Sequence, residues 1–180
     1  MAKTKARKKV SRPARVQKKA APRVKAIPPG YHTLTPGFCV RGAVEAMDFY
    51  KRAFGAKERM RLMKPDGSSL AHAELTIGDS RFMLGEEDAA MGAQSAQTLG
   101  GTPVDFYLYV SDVDAAVARA IGAGAKAVMP VSDMFWGDRI GGVLDPYGQK
   151  WTLATHKEDV PPRELAKRAE AFYAQAAGKP

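Results

Sequence analysis

The chain has 180 residues and a formal charge of +9, the length of one domain with a core large enough to need no staples. The charge is uneven: residues 1–30 hold eleven Lys or Arg and no acid, leaving 17 basic residues against 19 acidic in the remainder, so the basicity belongs to a tail and not to the fold. One cysteine, Cys39, excludes an internal disulfide and suits a reducing, cytoplasmic compartment. No apolar run approaches the roughly 18 residues of a membrane helix, and the basic N-terminus lacks the apolar stretch of a secretory signal.

In chain order, residues 1–30 are a low-complexity tract of Lys, Arg, Ala, Pro and Val without a periodic apolar face. That composition predicts a disordered tail. Lysines and arginines without aromatics suit a solvated segment, or one meeting nucleic-acid phosphates non-specifically through counterion release. Thr33–Val40 reads as a strand with Phe38 and Val40 on one face and Thr35, Gly37 and Cys39 on the other. A helix follows over Ala43–Phe54, with Ala43, Ala46, Met47, Tyr50 and Phe54 at helical spacing and Gly55 as its stop. Strands are predicted over Lys57–Met63, Leu70–Ile77 and Arg81–Gly85, separated by turns at Pro65-Asp66-Gly67 and Gly78-Asp79.

Glu86–Thr102, rich in acidic, Ala, Gln and Gly residues, breaks this rhythm and reads as a mobile connection. The pattern then restarts. Pro103–Val110 is a strand, Ser111 or Asp112 caps a helix to about Ile121, and Ala125–Val131 is a strand. A hairpin closes the second half, Gly141–Leu144 and Gln149–Thr155 joined by the turn Asp145-Pro146-Tyr147-Gly148. Gly55-Ala56-Lys57 recurs as Gly124-Ala125-Lys126, and Asp79–Leu84 matches Gly148–Leu153, both 69 residues on. A constant offset signals internal duplication of a βαβββ unit. A last helix begins after Asp159–Pro161, with Leu165, Ala169, Phe172 and Ala176 as its apolar face, suited to packing on the domain or on a partner chain.

Met134-Phe135-Trp136-Gly137-Asp138-Arg139, Leu144-Asp145-Pro146, Trp151–His156 and His72-Ala73-Glu74-Leu75 before Ile77-Gly78-Asp79-Ser80 resemble the vicinal-oxygen-chelate superfamily of glyoxalases, bleomycin-resistance proteins and extradiol dioxygenases, in its PhnB-like glyoxalase branch. The resemblance covers about residues 31–165. It implies an α+β fold of two tandem βαβββ modules, about 31–88 and 103–157, forming a curved mixed sheet around a shared cavity. Residues 31–157 form the domain, 158–180 add a C-terminal helix, and a homodimer is implied. Strand parity then sends Thr35, Cys39, Arg81, Met83, Asp105, Tyr107, Tyr109, Lys150 and Thr152 to the cavity, with His72 and Glu74 facing the same hollow and Trp136 and Arg139 at its rim.

Metal-dependent relatives place ligands on the first and fourth strands of each module. Here those positions are Thr35, Met83, Asp105 and Thr152, and only Asp105 is a good hard-metal ligand. A site from His72, Glu74 and Asp105 can be drawn, but the spacing does not demand it. A satisfied strand histidine and an exposed glutamate explain His72 and Glu74 more simply, and His32 and His156 read as surface or hydrogen-bonded groups. The resemblance thus implies a protein that binds a small molecule without the usual metal or another cofactor. Glu74 is its base candidate, with His72 adjusting the carboxylate, and Thr35, Met83, Asp105, Tyr107, Tyr109, Trp136, Arg139 and Thr152 around the ligand. A metal-dependent lyase or isomerase of glyoxalase type is the second reading. A nucleic-acid-associated protein tethered through residues 1–30 is the third.

Overall fold

The computed structural model describes residues 24–177, so the tail expected over residues 1–30 lies mostly outside the described residues. The first half runs β1 (Gly37–Val40), α1 (Ala43–Phe54), β2 (Lys57–Met63), β3 (Leu70–Ile77) and β4 (Ser80–Glu86). A 3₁₀ turn (Ala89–Met91) and α2 (Ala96–Leu99) lead to β5 (Asp105–Tyr109), α3 (Val113–Gly122), β6 (Lys126–Asp133), β7 (Asp138–Leu144), β8 (Lys150–His156) and α4 (Pro162–Ala177). The strands form two four-stranded sheets of order β1-β4-β3-β2 and β5-β8-β7-β6. The β1–β4 and β5–β8 pairs are parallel and the others antiparallel. This is the α+β, twice-repeated βαβββ pattern.

The two sheets share a register. Gly37 pairs with Met83 and Cys39 with Gly85 in the first, where Tyr107 pairs with Thr152 and Tyr109 with Ala154 in the second. Gly37 is therefore the counterpart of Tyr107, and Cys39 of Tyr109.

The module helices α1 and α3 are each fixed at the start by a carboxylate that satisfies otherwise orphaned N–H groups. Glu86 of β4 accepts from the backbone of Gly42 and Ala43, both at 2.8 Å. Asp112 accepts from Ala115 at 3.0 Å at the head of α3. The two helices then meet, and Arg119 Nε donates to the Ala53 carbonyl at 2.8 Å, closing a C-terminal carbonyl of α1. α3 lies tight on β7 because position 141 has no side chain: a Cβ there would stand 2.8 Å from Val131 Cγ2 and 2.9 Å from Val117 Cγ2.

One core serves both halves. Val40, Phe82, Leu84, Trp151 and Leu153 are buried against the helices, with Phe38, Phe106, Leu108 and Val110 packed on them. Trp151 stands 4.5 Å from Phe54 and 4.9 Å from Phe106, ring centre to ring centre. Asp145, at the β7–β8 turn, locks the join. Its carboxylate accepts from Tyr50 Oη of α1 (2.9 Å), Trp151 Nε1 (3.0 Å) and the backbone N–H groups of Tyr147 and Gln149 (2.9 and 2.8 Å). Burial pushes this carboxyl up from its ordinary value while the four donors pull it down.

Two sequence expectations are corrected. The first strand starts at Gly37, not Thr33, because Pro36 supplies no N–H and only its carbonyl joins the ladder, accepting from Met83 at 2.8 Å. The Glu86–Thr102 connection is folded, not a mobile loop. Asp88 caps the 3₁₀ turn, and the fully buried Ser95 caps α2 while its N–H donates to Glu87 at 2.7 Å. The last helix rests on the β6–β7 turn through Phe172, 5.2 Å from Phe135. No helix among the described residues is long and apolar enough to cross a membrane.

Candidate functional site

The concave face of the first sheet encloses the larger space. A cavity of about 700 Å³ lies between that face and the folded segment after β4. Cys39, His72 and Met83 project from the strands, Met91 and Leu99 come from the segment, and Tyr147 and Gln149 reach its edge from the second half. Gly37 and Gly85 also line it and contribute no side chain, which is why the space exists. The walls are mostly apolar, with the Lys64–Asp88 ion pair (3.1 Å) among their charged groups. Burial, and then the Glu87 carboxylate, push the Cys39 thiol up, which keeps it from being a nucleophilic thiolate.

Beside the cavity the sequence-predicted pair is brought together. Glu74 Oε2 accepts from Arg81 Nη1 at 2.8 Å, and His72 Nε2 lies 3.7 Å from Glu74 Oε1. The Arg81 guanidinium stacks 4.2 Å above the Tyr31 ring. The Tyr31 hydroxyl, then Arg81 and His72, hold the Glu74 carboxyl below its ordinary value against the opposing effect of burial. Thr35 lies outside the strands, its hydroxyl donating to the His32 carbonyl at 3.2 Å.

The concave face of the second sheet is organised around Asp138, which is 4% exposed. Its Oδ2 accepts from Tyr109 Oη (3.0 Å), Tyr107 Oη (3.1 Å) and Trp136 Nε1 (3.3 Å). Its Oδ1 meets His156 Nδ1 at 2.7 Å, and His156 Nε2 lies 3.0 Å from Asp159. These bonds outweigh burial and hold the Asp138 carboxyl below its ordinary value. Burial, with the Asp138 carboxylate adding to it, pushes Tyr107 up to about 12. Arg139 is not at this rim. Alternation along β7 sends Asp138 into the hollow and Arg139 towards α3, where it grips Asp114 with two bonds of 2.8 Å and Asp133 at 3.1 Å. Asp138 is the residue that sequence reasoning missed, while His156, expected as a surface or hydrogen-bonded group, is found half-exposed and hydrogen-bonded. Strand parity read through Trp136-Gly137-Asp138 would have found Asp138.

The four residues that the resemblance assigned to metal positions do not form a ligand set. Asp105 accepts from Thr152 at 2.7 Å and faces Lys150 at 3.6 Å, so its carboxylate is already engaged. Met83 and the two threonines supply no imidazole or carboxylate. His72 and Glu74 stand on the first sheet and Asp105 on the second. Among the described residues no group of three His, Cys, Asp or Glu is placed to hold a metal ion.

A sequence model of the Glyoxalase/Bleomycin resistance protein/Dioxygenase superfamily matches residues 32–153. The chain belongs to this superfamily. A Mycobacterium tuberculosis (strain H37Rv) protein is 43% identical over 130 residues, which cover 71% of this chain and 76% of that one. A solved Arabidopsis thaliana structure is 30% identical with a TM-score of 0.56, over 69% of this chain and 98% of its own. The PhnB protein of Bacillus cereus shares the fold at a TM-score of 0.55 and 19% identity, over 69% and 99% of the two chains.

Proposed function

We propose that this superfamily member binds a small, largely apolar molecule in the hollow of its first sheet, without a transition metal. The observation that carries this reading is the 700 Å³ cavity itself, within the size of small-molecule sites, its walls mostly apolar with thioether, thiol and aliphatic groups and with polar groups such as His72, Gln94 and Gln149 among them. Binding is favoured over turnover because Glu74 is held down by its partners and Cys39 is held up by burial. The glyoxalase-type lyase alternative requires metal, and elemental analysis of protein purified without a metal-binding tag separates the two. Substoichiometric zinc, nickel, iron and manganese are expected, and stoichiometric metal lost on replacing His72 or Glu74 would restore the lyase.

The cavity is tested with 8-anilinonaphthalene-1-sulfonate on the full chain. Wild type is expected to raise the dye's emission saturably. Cys39→Tyr, which places the counterpart side chain of Tyr109 into the cavity, is expected to remove that signal. Equal enhancement by both proteins would put the dye elsewhere and sink the reading.

The open concave faces also support a homodimer. Leu62, Tyr107 and Tyr109 stand 57%, 46% and 60% exposed there, large apolar surfaces that a second copy would cover. Light scattering is expected to give twice the chain mass, and a monomer at micromolar concentration would remove the proposal.

A further inference from the structure

Gln149, which reaches the first hollow from the turn before β8, is 5% exposed and has every hydrogen-bonding group engaged but one. Its N–H donates to Asp145 Oδ1 (2.8 Å), and its carbonyl accepts from the Asp145 N–H (2.9 Å). Its side-chain Nε2 donates to the carbonyls of Val104 (2.9 Å) and Lys150 (3.2 Å). A backbone carbonyl can only accept, so the NH₂ end of the amide must face these two and Oε1 must face away. Among the described residues nothing donates to Oε1, and the one buried side-chain polar atom there that lacks a partner is Arg81 Nε. The Gln149 oxygen is therefore not sealed in protein. It is reached from the open space that the residue borders, the first hollow. α2 seats against the same turn, where a Cβ at Gly148 would stand 3.3 Å from the Ala96 Cβ, and Ala96 belongs to the hollow's wall.

A fixed acceptor in a mostly apolar hollow selects a ligand with a donor, because a ligand without one leaves the oxygen desolvated and unpaired. The charge of that ligand follows from the other wall groups. Both oxygens of Glu86 accept from the head of α1, and Asp88 pairs with Lys64 at 3.1 Å. These carboxylates and this ammonium are already engaged, so a cation or an anion would enter without a counterion of its own. A neutral O–H or N–H meets the oxygen at no such cost. The body of the ligand is set by sulfur: Cys39, Met83 and Met91 all border the hollow, and divalent sulfur makes favourable contacts with aromatic rings.

We propose that the hollow takes a neutral aromatic molecule bearing a hydroxyl or N–H group, which donates to Gln149 Oε1; this rests on the ligand-binding role given to the hollow above. The test is a titration of the full chain, labelled at its methionine methyl groups, with 1-naphthol and with 1-methylnaphthalene, which puts a methyl group in place of the hydroxyl. The Met83 and Met91 signals report occupancy of the hollow. 1-Naphthol is expected to shift both saturably, and 1-methylnaphthalene, although more apolar, to bind about tenfold or more weakly. 1-Naphthoate and 1-naphthylmethylammonium, which carry charge, are expected to lose at least as much. Gln149→Leu removes the acceptor and is expected to bring 1-naphthol down to the affinity of 1-methylnaphthalene, leaving the latter unchanged. That variant also strands the Val104 and Lys150 carbonyls, and if it does not fold the wild-type comparison decides alone. Equal affinity for 1-naphthol and 1-methylnaphthalene, with Met83 and Met91 shifting for both, overturns the proposal and leaves the hollow as a binding site. A preference that survives Gln149→Leu gives the donor to another acceptor and also overturns it. If neither compound moves Met83 or Met91, the hollow's ligand-binding role falls with it.

Discussion

The first and second sheets carry the same strand order and the same parallel register, yet one concave face encloses space and the other a hydrogen-bonded network. Two positions account for much of the difference. Where the first sheet has Gly37 and Cys39, the second has Tyr107 and Tyr109, whose hydroxyls converge on Asp138. The folded segment after β4 closes over the first hollow only. A repeated backbone thus fixes where a site can be, and the side chains at a few inward positions decide whether that place holds a ligand or a polar network.

The comparison presumes that both faces stand on one rigid core, and the largest expected effect tests that. Asp145→Ala strands the Tyr50 hydroxyl and Trp151 indole, on residues 0% and 4% exposed, together with two backbone donors. At roughly 1–3 kcal/mol for each buried group left unpaired, the loss is expected to reach about 3 kcal/mol or more in urea unfolding. A loss under about 1 kcal/mol would mean that the halves are joined by packing alone.

Asp138→Ala is expected to cost less, about 1–3 kcal/mol, although it also removes four partners. Its tyrosines are about half exposed and regain water when the carboxylate goes. Losses equal to those of Asp145→Ala would break the distinction between a core lock and a surface network.

Much of this was legible in the sequence, for physical reasons. The 69-residue offset, the period-2 alternation around Phe82 and Trp151 and the turn at Asp145-Pro146-Tyr147-Gly148 are local signals, and each marks its element. The Asp138 network was not legible, because its members come from β5, β7, β8 and the turn before β7 and meet only after folding. Arg139 was misplaced by reading a charged pair as one surface when alternation divides it between two faces. The closure of the first hollow was hidden because Ser95 and Asp88, ordinary polar residues in sequence, act as caps.

A smaller effect sharpens the comparison by moving the first sheet's residues into the second. Tyr107→Gly with Tyr109→Cys is expected to add a second, weaker site for the naphthalene dye, counted by titration. If no second site appears, the side chains are insufficient and the segment after β4 is a necessary wall.

The smallest effect is a pH dependence that the second hollow carries through a histidine. The hydrogen bond to Asp138, then the one to Asp159, raises His156 above its ordinary value. A raised histidine adds stability that is fully present below the unfolded value, about 6.5, and is lost as pH rises through the folded one. Asp138, held low, adds stability that is present above the unfolded carboxylate value, about 4, and is lost as pH falls through its folded one. The pair is therefore strongest in mildly acidic solution, between those limits. Glu74, also held low, gives the first hollow the same acid-side loss. Wild-type melting temperature is expected to fall by a few degrees from about pH 6 to about pH 9, and His156→Gln to lose that part of the slope. The two proteins should melt most alike at the alkaline end, where the imidazole is neutral in both folded and unfolded chains. A slope that survives the substitution would assign the dependence to another group, and the second hollow would then be a network of tyrosines without a charged histidine.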